Sequence, residues 1–331
     1  MRFAACKEIP FRTGKKVAII GAGPAGLKAA GYLICKGHNV VVYDKLPAPG
    51  GLLIFGIPEW RMPKEPIKKG INELKELGVK FVTNTEIGKD ITFDEIVSEY
   101  DAVIIATGTW KEKDLRIEGE NLIGVYGALD FLVKLALYRE GYIKDLDINL
   151  GKKAVVIGGG NSAMDAARTL IRMNIETIVA YRRTKEYMPA YKHEVKKAEE
   201  EGVKFMFLVS PKRILGSNGK VVGIELIKNR LGEIDSTGRP RPEPIPGSEF
   251  TIECDMVIKA IGEIPTPPKD LISKGLKVDK RGRIIVDERG MTSIEGVFAA
   301  GDVVLGPSEI GKALIHGLEV AKNVDLYLRE K

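Results

Sequence analysis

Two clusters of small residues with the same spacing carry the most readable chemistry in the chain: Gly21, Gly23 and Gly26 in GAGPAG, and Gly158, Gly160 and Ala163 in GGGNSA. In a GxGxxG turn the first glycine permits a tight bend and the second lets the backbone approach a pyrophosphate. The third position must be small where helix meets strand. Ala163 meets that last need. Pro24 and Ala25 in the first cluster, and Gly159, Asn161 and Ser162 in the second, present backbone along the same edge. The clusters lie 137 residues apart, and Lys15 to Lys45 aligns without a gap on Lys152 to Arg182. One such turn is weak evidence for a dinucleotide site. Two in register are strong evidence for a pair.

The copies differ where a nucleotide would be read. In the first, Tyr43, Asp44 and Lys45 close the second strand, with Asp44 placed 23 residues after Gly21. A carboxylate there can accept bonds from the two hydroxyls of an adenosine ribose. In the second, Tyr181 aligns with Asp44, and Arg182 and Arg183 follow. Guanidinium groups bind a 2′-phosphate through charge-assisted hydrogen bonds, whereas a carboxylate would repel it. The first site therefore suits FAD or NAD, and the second suits NADPH. The bland alternatives are a solvated turn acid at Asp44 and an exposed basic turn at Arg182 and Arg183.

The elements around these sites follow from hydrophobic patterning. Val17 to Ile20 leads into the first glycine turn, a helix follows, and Val40 to Tyr43 forms the next strand. Ala154 to Ile157, Met164 to Arg172 and Ile178 to Ala180 repeat the order. Between the units, Pro47 to Lys64 is a Gly- and Pro-rich ordered loop containing Gly51 and Leu52, and Lys64 to Leu77 has amphipathic helical spacing. Lys80 to Thr83 and Ala102 to Ile105 read as strands, the latter ending in Ala106, Thr107 and Gly108. Met256 to Ala260 is a further strand, ending at Ala260, Ile261 and Gly262. Small residues at the carboxyl end of a buried parallel strand admit a ligand closely. Gly124 to Tyr142 reads as helical, and Lys185 to Glu201 contains a helix with a charged face. Lys204 to Ser210, Val221 to Lys228 and Phe250 to Glu253 read as an antiparallel meander around a polar turn from Arg230 to Gly247. The last part, Ile284 to Asp287, then Val297 to Asp302, then a helix from about Ile310 to Tyr327, has no glycine fingerprint of its own and is expected to complete the first domain.

The predicted fold class is thus α/β, with two Rossmann-like dinucleotide-binding domains and the NAD(P)H domain inserted into the FAD domain. The expected boundaries are 1–147 and 264–331 for the FAD domain and 148–263 for the inserted one. Two chain crossings between domains make a natural hinge.

Composition narrows the function classes. A length of 331 residues fits two domains with separate cores. The net charge of +6 is spread among acidic residues, which argues against nucleic acid as a partner. No segment reaches the roughly 18 unbroken apolar residues of a membrane span, and Met1 to Lys16 lacks a signal-type core, so a cytoplasmic protein is expected. Cys6, Cys35 and Cys254 stand far apart, without CxxC or metal-ligand spacing, which removes a motif dithiol and a four-cysteine cluster. Cys35 and Cys254 read as small buried residues, and nothing adjacent argues for reactivity at Cys6. The absence of glutamine beside many Lys and Glu fits a thermophilic source, which a melting temperature in the ordinary mesophile range would contradict.

With these motifs laid out, the chain resembles the glutamate synthase small (beta) subunit family of two-dinucleotide-binding-domain flavoproteins. The resemblance rests on GAGPAGLKAAGYL, GGLLIFGIPEWRMPK, YDAVIIATGTW, VIGGGNSAMDAARTLIR, YRRTKEYMPAYKHEV, LGEIDSTGRPRPEPIPGSEF, AIGEIP and GVFAAGDVV, from about Arg12 to the end. It implies FAD at the Gly21 domain and NADPH at the Gly158 domain. It also implies that Gly301 and Asp302 form the late FAD motif, and that the helix beginning near Ile310 points its positive end at the flavin pyrimidine. Longer family members carry an N-terminal iron–sulfur domain, and this chain begins where that domain would end. Thioredoxin reductases share the architecture, but their dithiol has no counterpart here.

The implied activity is a flavin-dependent NADPH oxidoreductase that passes hydride to FAD and electrons to a partner protein or iron–sulfur acceptor, such as a glutamate synthase large subunit or a ferredoxin. Assembly into oligomers is compatible with this reading. Alternatives are ferredoxin–NADP reductase chemistry and a nucleotide-binding assembly subunit without independent turnover. Because the cofactors carry the chemistry, no catalytic acid, base or triad is expected. His38 reads as a surface turn residue and His193 as solvated. His316 reads as a helix-packing residue with an approach to the flavin as the alternative.

Overall fold

The computed structural model describes residues 1–9, 11–235 and 238–331. Contacts divide the chain into two compact units, Met1–Lys111 with Glu263–Lys331, and Glu112–Gly262. The first crossing therefore lies near residue 111 and not at the expected 147. The reason is a strand: Val125–Gly127 pairs in parallel with Met256–Lys259, which places it and the helix Ala128–Arg139 in the second unit.

The first unit is built on a five-stranded parallel sheet, in the order Val297–Ala299, Ala102–Ile105, Lys16–Ile20, Asn39–Tyr43, Lys80–Val82. Val17, Ala18, Ile19 and Ile20 are all buried, as are all four residues of Ala102–Ile105. Such continuous apolar runs are what a parallel strand covered on both faces demands. The helix Pro24–Cys35 and the C-terminal helix Ile310–Glu330 pack so closely that a β-carbon on Gly317 would lie 2.3 Å from the Ala25 carbonyl oxygen. In the last part of the chain Ile284 forms an isolated antiparallel bridge with Val278.

The second unit has its own five-stranded parallel sheet, ordered Val125–Gly127, Met256–Lys259, Lys153–Ile157, Glu176–Tyr181, Lys204–Phe207. The meander expected to begin at Lys204 starts later. Lys204–Phe207 completes the parallel sheet, Leu208 turns with φ +55°, and Val209–Ser217 then pairs antiparallel with Lys220–Ile234. That long strand also pairs with Pro240–Pro244 and Phe250–Glu253. Of the polar turn expected from Arg230 to Gly247, both ends are thus hairpin strands, and Ser236 and Thr237 lie outside the described residues.

Two long-range links correct the reading of single residues. Cys6 and Cys35 form a disulfide, tying the N-terminal segment to the end of the first nucleotide-binding helix. Phe3 in that segment is buried, and its carbonyl rests where a side chain on Gly31 would project. His38 is not a surface residue: it is buried, with Nδ1 against the Thr13 hydroxyl at 2.8 Å and Nε2 against Asp325 Oδ1 at 2.9 Å. Cys254 is buried as expected, and burial followed by the nearby Asp255 charge pushes its thiol up to about 12. The disulfide closes a loop with a sequence separation of 29 residues. Its reduction is expected to cost about 3 to 4 kcal/mol on loop-entropy grounds. Melting with and without reductant tests this, and Cys6→Ser should erase the difference.

Candidate functional site

The two glycine turns are built alike. The amide of Gly21 donates to the Tyr43 carbonyl at 2.8 Å, and Gly158 does the same to Ala180 at 3.1 Å. Ala106 and Ala260 each donate back to the residue before the turn, Ile20 and Ile157, both at 2.8 Å. Gly21 has φ +109° and Gly158 φ +143°, where a side chain is strained. A β-carbon would also stand 2.4 Å from the Ala106 oxygen in the first turn and 2.2 Å from the Ala260 oxygen in the second. At the third position a β-carbon on Gly26 would be 2.0 Å from the Gly21 oxygen, so that helix lies closer to its turn than the helix bearing Ala163. Gly23 and Gly160, by contrast, face open space. Each is the N-cap of a twelve-residue helix whose first turn has no acidic residue and no side-chain cap. Uncapped helix amides beside open space form an anion cradle.

A loop crosses each turn at the aligned position. Gly50 donates to the Ala22 carbonyl at 2.9 Å, and a β-carbon on Gly51 would lie 2.8 Å from the Gly23 α-carbon. Ala190 donates to the Gly159 carbonyl at 3.1 Å, and the Asn161 side-chain oxygen accepts from the Tyr191 amide at 3.0 Å. Asn161 therefore fastens the loop over its turn.

The first unit gathers most of the residues expected there. Asp44 is buried, its Oδ2 accepting from Ala22 at 2.6 Å and its Oδ1 from Leu46 at 2.8 Å. Burial raises its pKa, against the two backbone donors. It thus fixes the glycine turn as well as ending the strand, and the solvated reading is excluded. Among the described residues the buried Thr107 hydroxyl has no hydrogen-bond partner, an orphan that a ligand could satisfy. Gly301 and Asp302 reach the same region, since a β-carbon on Gly301 would sit 2.7 Å from that of Ala25. His316 accepts from the Gly301 amide through Nδ1 at 3.0 Å, and burial lowers its pKa, which keeps that nitrogen an acceptor. Burial raises the pKa of Asp302, opposed by the Ser308 hydroxyl that donates to it at 2.5 Å. The helix starting at Ile310 has no side-chain cap. Leu52 is half-buried in the short helix Leu52–Phe55, whose loop is held from beneath by the buried Lys64 ammonium donating to the Leu53 carbonyl at 2.6 Å. A buried lysine such as Lys64 leaves no local signature in the sequence.

Two expected contributors are displaced. Tyr43 turns its side chain into the core, with its hydroxyl 2.8 Å from that of Tyr100, and only its carbonyl serves the turn. Lys45 is exposed and lies over the Trp110 ring at 5.0 Å.

The second unit requires a larger correction at the arginine pair. Arg182 is exposed, but Arg183 is 2% exposed, with Nε donating to the Pro240 carbonyl at 2.7 Å and Nη2 to Asp235 at 2.7 Å. The Arg183 side chain is thus held by the hairpin and does not stand exposed beside Arg182. Tyr181 closes on the turn, its ring standing 2.5 Å from where a Gly159 β-carbon would be. Ile261 is exposed and Gly262, at φ +105°, accepts from the Lys113 amide at 3.0 Å.

Residues 15–317 match the model of the pyridine nucleotide-disulphide oxidoreductase family. The chain belongs to that family. It is 41% identical over 96% of its length to the glutamate synthase [NADPH] small chain of Halomonas elongata, covering 68% of that protein. It is also 41% identical, again over 96%, to the NADP(+)-dependent formate dehydrogenase subunit beta of Moorella thermoacetica, of which it spans 44%. Among solved structures it is similar to Mycobacterium tuberculosis FprA in complex with NADPH, with a TM-score of 0.82 over 96% of this chain and 85% of that one, at 22% identity. The last likeness shows the fold. Among the described residues no helix is long and apolar enough to cross a membrane.

Proposed function

We propose that the chain is a flavin-dependent NADPH oxidoreductase, with FAD held by the first unit and NADPH by the second. The carrying observation is that two equivalent glycine cradles end in opposite charges, a buried carboxylate at Asp44 and an exposed guanidinium at Arg182. When bound, the two cofactors supply hydride transfer from nicotinamide to flavin and onward electron release. The protein binds and orients. Gly23 and Gly160 leave room for a pyrophosphate at each helix N-terminus, with Pro24, Ala25, Ser162 and Ala163 continuing those helices. Thr107 and Gly108 close the first site, Ala260 and Ile261 the second, and Asp302 offers a carboxylate to the ribityl hydroxyls. The uncapped start of Ile310–Glu330 favours negative charge nearby, by roughly 0.3 to 1 kcal/mol.

Electrons are delivered to a protein or iron–sulfur acceptor. This is supported by the relatives, which are named as a small chain and a beta subunit and so act with other chains. Coenzyme choice tests the assignment of the second site. Arg182→Ala is expected to raise the KM for NADPH about ten- to a hundredfold while changing that for NADH less than about threefold. Equal weakening of both would show that Arg182 does not read a 2′-phosphate.

A further inference from the structure

Three parts of the first unit meet at Ala25, the second residue of the helix Pro24–Cys35. A β-carbon on Gly301 would stand 2.7 Å from the Ala25 β-carbon, and one on Gly317 would stand 2.3 Å from the Ala25 carbonyl oxygen. Neither position has room for a side chain. Gly301 is buried at φ +77° and caps the short helix Asp302–Leu305, so the turn leading into Asp302 lies between the start of Pro24–Cys35 and the helix Ile310–Glu330. Backbone bonds fasten both sides of that turn. The Ala300 amide donates to the Ile105 carbonyl at 2.9 Å, and the Gly301 carbonyl accepts from Val304 and from Leu305, both at 3.0 Å. The Gly301 amide is served by a side chain instead: it donates to His316 Nδ1 at 3.0 Å, on the residue just before Gly317. A buried amide must find an acceptor, and here the acceptor is one that can titrate.

We propose that His316 is a positioning residue of the FAD site, whose neutral imidazole, with its proton on Nε2, holds the Gly301 amide and through it the direction of the Asp302 carboxylate. A ring that accepts at Nδ1 has no second proton to spare. Protonation would turn Nδ1 into a donor facing the Gly301 N–H, and the turn would have to move. Burial lowers the proton affinity of His316 below its ordinary value near 6.5, and Glu319 opposes that effect. The other charges around the ring are weakly placed to reverse it. Glu309, Lys312 and Glu319 are exposed, and Asp302 on the turn accepts from the Ser308 hydroxyl. In Pro24–Cys35 the charged residue is Lys28, whose ammonium donates to the Phe3 carbonyl at 3.1 Å, and the strands Ala102–Ile105 and Val297–Ala299 carry no charged side chain. Because the site needs the neutral ring, FAD affinity is full above about pH 6.5 and falls as the pH drops below it.

The inference rests on FAD binding in the first unit. FAD dissociation constants would be measured between about pH 8 and about pH 5 for the full chain stripped of flavin and for its His316→Leu and His316→Asn variants, with NADPH binding as the internal reference. His316→Leu is expected to weaken FAD about ten- to a hundredfold at every pH, because it leaves the Gly301 amide without its acceptor. The wild type should lose about three- to tenfold in affinity towards acid. His316→Asn offers a side-chain oxygen in place of Nδ1 and does not titrate, so it should keep most of the neutral affinity and flatten the acid loss. Titration of Asp302 is common to all three proteins, so the difference between wild type and His316→Asn isolates the imidazole. NADPH binding should change less than about threefold in either variant. FAD bound as tightly by His316→Leu as by wild type, or an acid profile unchanged in His316→Asn, would overturn the proposal. So would tighter FAD binding in acid, which would mean that an imidazolium attracts the pyrophosphate. A wild-type chain that takes up no FAD would overturn the cofactor assignment itself.

Discussion

Gly21→Ala is expected to give a folded protein that emerges from purification without flavin, whereas Gly158→Ala keeps its flavin and loses NADPH. Both substitutions put a methyl group into a backbone at positive φ and drive it against a carbonyl oxygen, Ala106 in one unit and Ala260 in the other. Strained backbone and overpacking each cost about 1 to 3 kcal/mol, and relief requires the turn to move away from the carbonyl. Because the turn is the cradle, that shift is expected to weaken the dinucleotide at least about a hundredfold. Flavin content by absorbance and NADPH titration of each variant check the outcome. Loss of both ligands in both variants would contradict separate sites.

The second large effect concerns stability. Arg168 on the helix Asn161–Arg172 is buried, and its guanidinium bonds Glu194 on Lys192–Glu200 and, through Nε at 3.1 Å and Nη2 at 2.6 Å, Glu201. Arg172 reaches the same two oxygens of Glu201 at 3.2 and 2.6 Å. Arg168→Ala withdraws the cation from a buried carboxylate and is expected to cost about 3 to 5 kcal/mol, read as a lowered denaturant midpoint. An Arg168→Met variant isolates the charge from the packing. Burial works to raise the pKa of Glu201, but bonds from Arg168 and Arg172 outweigh it and hold the carboxyl down to about 2 against an ordinary 4.5. A depressed folded-state pKa stabilises fully above the unfolded value and is lost below it. Stability of the second unit should therefore fall as pH drops from about 4.5 towards 2, with a shallower fall in Arg168→Ala. An unchanged acid profile in that variant would mean the network does not set it.

The parts of the site legible in the sequence were those that local backbone geometry dictates. Gly21 and Gly158 had to be glycine because the chain turns at positive φ against a neighbouring strand, and their small neighbours had to admit close approach. Parallel strands buried on both faces announce themselves as apolar runs, so the order of both repeats was visible. What escaped was set by partners far along the chain. Arg182 and Arg183 read as a clamp, yet just past the strand end one residue is exposed and its neighbour is buried. The inward one is fixed by Asp235, whose place in the hairpin no spacing rule conveys. His38 follows Gly37 like a turn residue and is buried only because Asp325, in the last helix, lies against it. Cys6 and Cys35 pair because the N-terminal segment folds onto the first helix. The boundary near residue 111 depends on the pairing of Val125–Gly127 with a strand more than a hundred residues later.

The most direct measurement is anaerobic mixing of the flavin-loaded protein with NADPH while the visible flavin band is followed. Two cradles of opposite charge working as one electron-transfer module require rapid bleaching by NADPH, at lower coenzyme concentration than by NADH. A protein that holds flavin but does not bleach with either coenzyme at saturation would contradict it.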